Sequence, residues 1–494
     1  MSRKNGGIIG PANTPVGGIV TGVASGVWRT NDLLNFVANN QWPKTPENIE
    51  NSCRFNRGSS DYLNKTFSSA GSRTTWTISV WVKRASEVGT NSYILDSGAG
   101  NGTSLYFGPT AIEFWDYQSG SYTGRLTTNA VFRDMSAWYH IVAVWDTTNS
   151  TAGDRMKLYV NGTEVTSFAT DTNPSSSQNS ILNDGSTSVT IGRQSSIYSN
   201  LYMAEFVFVD GQALTPSSFG ETNTATGIWT PKKIGAISGA GDNTFYLNFK
   251  DSSNLGNDAS GKDNDFTVNN LTSIDQSTDT CVENFATMNP LAAYYSSSTF
   301  SEGNLKVVTN SSAYTSDIST FGISSGKWYV EAKASAKTSG GLGAFMIGIV
   351  EKPSTATNNS IGNNASSYGY FGDDGNSRNN GSFSSYGNTY TAGDIIGMSI
   401  NLDDNELKFY KNGTVQNSGT AISITAPSSN GTGVYFIAVG DYEAANAVTW
   451  EVNFGNPTFT ISSGNSDANG HGNFEYSVPS GYYALNTSNL NTYG

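Results

Sequence analysis

Two histidines and two cysteines are all that 494 residues offer of the side chains most used in nucleophilic and metal-assisted chemistry. His140 alternates with Trp138 and Val142 in an apolar stretch, which points to a hydrogen-bonded structural residue, while His471 lies in GNSDANGHGN, a run that reads as a solvated loop. Neither accompanies a nucleophile motif, so a Ser-His-Asp or Cys-His set has nothing to build on. No Cys/His spacing suits zinc. Cys53 and Cys281 cannot make a disulfide framework and read as two separate thiols rather than a bridge. Charge is scarce as well: Asp, Glu, Lys and Arg make up 14% of the chain, against about 25% in an average soluble protein. With a net charge of −13 and no basic run, the chain lacks the clustered cations that grip phosphate backbones, which argues against nucleic acid as a partner. No window approaches the roughly 20 apolar residues that span a bilayer. No membrane insertion is therefore expected, and the opening MSRKNGGIIGPANTPVGG has no apolar run of signal-peptide length.

What the chain has in quantity is glycine, 54 residues, together with serine, threonine and asparagine, and 12% aromatics to fill cores. Its length favours two to four domains. From residue 53 onward the dominant pattern is period two. In WTISVWV, Trp76, Ile78, Val80 and Val82 share one face while Thr77, Ser79 and Trp81 share the other, as a half-buried strand requires. KLYVNGTEV (157–165) and KFYKNGTVQ (408–416) repeat one phrase, and each Asn-Gly suits the positive φ angles of a type I′ hairpin. Met156 and Leu158 keep the parity of Leu407 and Phe409, so both hairpins follow one inward and outward plan. Ile396, Met398, Ile400 and Leu402 line one core face, and Val448, Trp450, Val452 and Phe454 another. Burying each such side chain contributes about 1.5–3 kcal/mol. The fold class is all-β, two antiparallel sandwiches behind a short N-terminal segment with one helix, placed in TNDLLNFVANNQW (30–42) and stopped by Pro43 and Pro46.

The order WTISVWVKR, WYHIVAVWD, KLYVNGTEV, VTIGR, YMAEFVFVDGQALTPSSF resembles a laminin-G-like, concanavalin-A-like jelly roll. The order GKWYVEAKA, GYFGDDG, GDIIGMSINLDDNELKFYKNGT, GVYFIAVG, VTWEVNFG resembles a SPRY domain. The domain reading is an attachment segment at 1–50, the jelly roll at 51–222, a connector packed on it at 223–290, and the SPRY-like sandwich with a closing segment at 291–494. GIIGPANTPVGG, ASGVWRTNDLLN and NQWP, together with SSNLGNDASGKDNDFTVNN and PSGYYALNTSNL, resemble wording in virion proteins of tailed bacteriophages. That resemblance implies a virion-surface protein assembled in the host cytoplasm, with Ile8, Ile9, Pro11, Trp28, Leu33, Leu34 and Trp42 docking to other virion proteins. It also implies a homo-oligomer, with a trimer favoured. The expected task is a non-enzymatic tail fibre or host-recognition adhesin; a decorative virion protein whose sandwiches make protein contacts, and a polysaccharide depolymerase, stay open.

Two aromatic clusters are candidate ligand sites, because a sugar ring stacks its apolar face on aromatics while amides and charges take its hydroxyls. EFWDYQSGSY offers Trp115, Tyr117 and Tyr122; SYGYFGDDGNSRNN offers Tyr368, Tyr370 and Phe371 beside Asp373, Asp374 and Arg378. In either, alternate positions also suit a core. Glu113 with Asp116, and Asp373 with Asp374, are the carboxylate pairs a glycosidase would need. No cofactor is required; calcium at a sandwich rim stays open through LDSGAGNGT (95–103), with no ligand assigned.

Overall fold

The computed structural model of the chain describes residues 48–494 apart from 86–89, 99, 224–225, 294–296, 311–313, 339–344, 354–358 and 443–446. The helix expected at 30–42 and the attachment residues Ile8, Ile9, Pro11, Trp28, Leu33, Leu34 and Trp42 lie outside the described residues. The rest is nearly all β, in stacked antiparallel sheets.

The first sandwich pairs two 8-stranded sheets. One places Thr75–Arg84 between Trp138–Asp146 and Leu201–Asp210, and the other runs Phe168–Thr172, Ser121–Thr128, Ile112–Gln118, Gly102–Phe107, Ser92–Ser97, Val189–Ile191, Tyr62–Lys65, Thr267–Asn269. Trp76, Ile78, Val80 and Val82 meet Leu105, Phe107, Ile112, Phe114 and Leu126 across the gap. The opposite face of the Thr75–Arg84 strand departs from the half-buried expectation, since Thr77, Ser79 and Trp81 are buried too. The physical reason is a cover. Residues 212–223 and 226–240 fold back over this sheet, Thr77 Oγ1 donates to the Gln212 carbonyl at 2.8 Å, and Trp229 lies on His140, which itself stacks on Trp81 at 4.8 Å. The stretch after residue 222 also supplies strands: Phe245–Leu247 pairs with Leu201–Asp210 and Thr267–Asn269 with Tyr62–Lys65.

The second sandwich stacks a 9-stranded sheet, in which Val448–Asn453, Lys327–Lys337, Ile395–Asn401 and Glu406–Lys411 are neighbours, on a 6-stranded one. The second sheet runs Thr315–Ile323, Tyr435–Asp441, Phe345–Val350, Ser367–Phe371, Asn376–Asn379, Ser382–Ser385. The stripes Ile396, Met398, Ile400 and Val448, Trp450, Val452 fill its core. The tail returns as Tyr483–Ala484, parallel to Lys327–Lys337. The Glu331 carboxylate holds it by accepting from Glu475 N at 2.9 Å and Tyr476 N at 2.8 Å.

The repeated phrase is the same hairpin twice. Asn161 and Gly162 have φ of 48° and 79°, Asn412 and Gly413 of 47° and 76°, the left-handed pair of a type I′ turn. Each asparagine also extends the ladder to the adjoining strand. Asn161 Oδ1 accepts from His140 N at 2.8 Å and Asn161 N donates to His140 O at 2.8 Å; Asn412 Oδ1 accepts from Ile395 N at 2.9 Å and Asn412 N donates to Ile395 O at 2.9 Å. Over each glycine lies an aromatic ring from a later segment: a Cβ on Gly162 would come within 2.5 Å of Trp229, and one on Gly413 within 2.5 Å of Tyr476.

The two sandwiches are joined through a buried polar seam. Lys83 Nζ stands 2.7 Å from Asp279 Oδ2 and donates to Asn284 Oδ1 at 2.7 Å, while Trp138 Nε1 donates to Asp279 Oδ1 at 3.0 Å. Arg54 donates to the Ile274 and Pro457 carbonyls, and the Tyr202 hydroxyl donates to the Gly303 carbonyl at 3.0 Å. Cys53 and Cys281 are free thiols.

Candidate functional site: an aromatic face on the first sandwich

The strand Ile112–Gln118 alternates strictly, with Ile112, Phe114 and Asp116 buried and Glu113, Trp115 and Tyr117 on the outer side. A turn at Ser119 and Gly120, with φ of 51° and 88°, sends the chain back as Ser121–Thr128. Tyr117 pairs with Tyr122; Thr123 is then an extra residue, so that Trp115 stands beside Arg125 and Glu113 beside Thr127. Without this bulge Gly124 would face Trp115. The result is a connected outer patch. Tyr122, 41% exposed, packs edge-on against Tyr117 at 5.0 Å and Trp115 at 5.9 Å, and Trp115 leads to Tyr106 at 6.5 Å. The Arg125 guanidinium lies 4.6 Å from the Tyr122 ring centroid and donates to Glu113 Oε2 at 2.8 Å. Burial and the nearby Glu113 push the Tyr106 hydroxyl well above its usual range, so it acts as a neutral donor and acceptor. The patch thus offers half-exposed rings flanked by a carboxylate, a guanidinium and the Thr127 hydroxyl.

Trp115, Tyr117 and Tyr122 are therefore brought together, and sequence reasoning missed Arg125 and Tyr106 beside them. Counting back from the Ser-Gly turn finds the pairing of 117 with 122. Only the bulge brings Arg125 into place.

The second cluster is split. Tyr368 and Tyr370 belong to the core, a correction to their reading as ligand contacts. Tyr370 is fully buried, its hydroxyl donating to the Asn388 carbonyl, and the Tyr390 hydroxyl donates to the Tyr370 carbonyl at 2.7 Å. Phe371 has the opposite parity but is buried too, a second correction to a reading as ligand contact: it packs in a separate cluster on the other face of the sheet, where it meets Phe383 at 5.8 Å and Tyr442 at 5.4 Å. Arg378 lies 4.7 Å from the Tyr442 centroid and donates to Ser360 Oγ, the Ile361 carbonyl and Asn363 Oδ1. It braces the 360–363 loop and is only 6% exposed. Asp374 caps its own turn through Asn376, and its neighbour Asp373 is half-buried.

The carboxylate pairs fare unequally. Glu113 and Asp116 lie on opposite faces of their strand, and Asp116 is committed inward, accepting from Thr103 Oγ1 at 2.6 Å and Ile181 N at 2.9 Å. Asp96, at the start of the rim phrase, lies on the outer face of its strand but is buried there, accepting from Gln194 Nε2 at 2.8 Å and from Ser104, with burial lifting its carboxyl to about 6. Among the described residues no group of three or more His, Cys, Asp or Glu is placed to hold a metal ion. His140 is structural: its Nδ1 accepts from Trp229 Nε1 at 3.0 Å, which leaves Nε2–H to donate to Ser79 Oγ at 2.8 Å, and burial pushes its pKa to about 3. His471 differs from a free loop residue in standing 3.4 Å from Glu283 Oε2.

Residues 57–218 match the concanavalin A-like lectin/glucanases superfamily and residues 327–456 match the SPRY domain. A stretch of 91 residues is 38% identical to the Ran-binding proteins 9/10 homolog of Drosophila melanogaster, covering 18% of this chain and 9% of that protein's length. Solved structures with related form include the SPRY domain of human HERC1, at 16% identity over 30% of this chain and 87% of that one with a TM-score of 0.24. The TRIM65 PSpry domain is similar at 15% identity over 34% and 92%, with a TM-score of 0.26. The chain carries a concanavalin A-like domain followed by a SPRY domain.

Proposed function

We propose that the chain is a non-enzymatic recognition protein of a tailed-phage particle, a tail fibre or adhesin that binds cell-surface glycan through the face built by Trp115, Tyr117, Tyr122, Arg125 and Glu113. The observation that carries the glycan reading is that bulged hairpin, which keeps three linked aromatic rings at the surface of a lectin-type sandwich and sets an ion pair against them. Support for the virion placement comes from the N-terminal wording, the mid-chain phrase at 252–270 and the closing phrase at 479–490. Attachment to other virion proteins through residues 1–50 and assembly as a homo-oligomer belong to the same reading.

A second reading, a decorative virion protein with protein partners, draws on the exposed Phe383 and half-buried Tyr442 of the SPRY domain, which pack over the buried Phe371. The depolymerase reading has no support in the Glu113 and Asp116 pair, whose side chains part to opposite faces. The test is retention of the full chain on an array of bacterial surface glycans and on host cells, with Trp115→Ala beside it. Glycan retention lost in the variant supports the first reading. A chain that ignores every glycan but stays bound to isolated capsids or tails supports the second.

A further inference from the structure

The hairpin of Asn376–Asn379 and Ser382–Ser385 ends the 6-stranded sheet, and its outer strand is exposed at every position. Asn380 and Gly381, with φ of 49° and 76°, form another type I′ turn, and Asn379 pairs with Ser382 directly behind it. In such a two-residue hairpin the flanking pair exchanges its backbone bonds, so Ser382 and Ser384 turn their N–H and C=O inward, while those of Phe383 and Ser385 turn out to the open edge. Among the described residues none bonds to these outward groups.

Natural edges are usually guarded by charge, proline or a bulge. This one has none: from Asn379 to Gly393 the chain carries no charged residue and no proline, and the pairing is regular throughout. On a protein of net charge −13, a neutral edge is where like copies approach without repulsion.

We propose that Ser382–Ser385 is a homotypic contact, pairing antiparallel with the same strand of a second copy around a twofold axis at Ser384. In that register Phe383 of each copy exchanges backbone hydrogen bonds with Ser385 of the other. The two Phe383 rings then lie diagonally on one face, each over a serine small enough to admit it, beside the Phe371 and Tyr442 rings already there. The strand is short, so the contact is transient alone and is strengthened when copies are held on a common support. The geometry is twofold, unlike the trimer that the virion resemblance implies, and it does not rest on the glycan reading.

Sedimentation equilibrium of the full chain over a concentration series up to about 1 mM tests it. The expected result is a mass rising toward twice the single-chain value. Ser385→Pro removes an outward N–H that has no partner among the described residues, and is expected to stay monomeric with an unchanged melting temperature. Should that variant misfold, Ser385→Lys, which leaves the backbone intact and places charge at the seam, is expected to stay monomeric instead. A wild-type chain monomeric throughout, a trimer, or a dimer indifferent to both substitutions would each overturn the proposal.

Discussion

Trp115 and Tyr370 look alike in the sequence, each an aromatic beside a Gly turn and acidic residues, yet the structure gives them opposite duties. Trp115 is half-buried on an outer face, while Tyr370 sits at the centre of Tyr386, Tyr390 and Phe409. Trp115→Ala should weaken glycan binding about tenfold, the ~1.4 kcal/mol of a central contact residue, and leave thermal unfolding nearly unchanged. Tyr370→Ala should cost ~3–5 kcal/mol of stability through the cavity it opens, with the melting curve as readout. If Trp115→Ala melts the first sandwich, its ring is core after all. Parity showed that Tyr368 and Tyr370 share a face and that Phe371 takes the other. It could not show which face was inward, because Ser367–Phe371 is buried along its whole length.

At the scale of the element, the hairpin glycines separate two costs that sequence merges. Gly120 and Gly413 both hold left-handed backbone, at φ of 88° and 76°. A Cβ on Gly120 meets nothing within 4 Å, whereas one on Gly413 meets the Tyr476 ring at 2.5 Å. Gly120→Ala should therefore lose only the backbone term, ~1–2 kcal/mol. Gly413→Ala should lose clearly more, since Tyr476 must move and with it the tail that Glu331 holds. Urea unfolding of the pair checks the difference; equal losses would mean that the ring yields freely. The turns and the strand stripes were legible because a type I′ turn and a period-two face are local properties of the chain. The bulge at Thr123 was not, nor was the cover that Trp229 and its neighbours lay over His140 and Trp81, because both are decided by neighbours distant in sequence.

Across the whole molecule, the buried Lys83 and Asp279 pair ties the first sandwich to the segment leading into the second. Lys83→Met leaves Asp279 buried without its cation and should cost ~3–5 kcal/mol, whereas Lys83→Met with Asp279→Leu should recover much of that loss; a double variant no better than the single would deny the pair that role. Burial also shapes the response to pH. It lifts Asp61, Glu331 and Asp441 to about 7, and these three lie in the first sandwich, the tail clamp and the second sandwich. An acid whose folded pKa exceeds its unfolded value keeps a proton in the folded chain that the unfolded chain has released. Between about 4 and about 7 these three acids therefore bind more protons in the folded state; His140, which burial holds at about 3, opposes them below its unfolded value of 6.5 but is one group against three, so stability falls as pH rises through that window. Carboxylates held below their usual range, such as Asp184 and Asp394, act in the opposite sense but only in more acidic solution, where they begin to protonate. The melting temperature should accordingly be higher at pH 5 than at pH 8. Asp441→Asn, which cannot ionise, should flatten that slope, and a melting temperature that instead climbs from pH 5 to pH 8 would show these carboxyls to be ionised and well solvated in the folded chain.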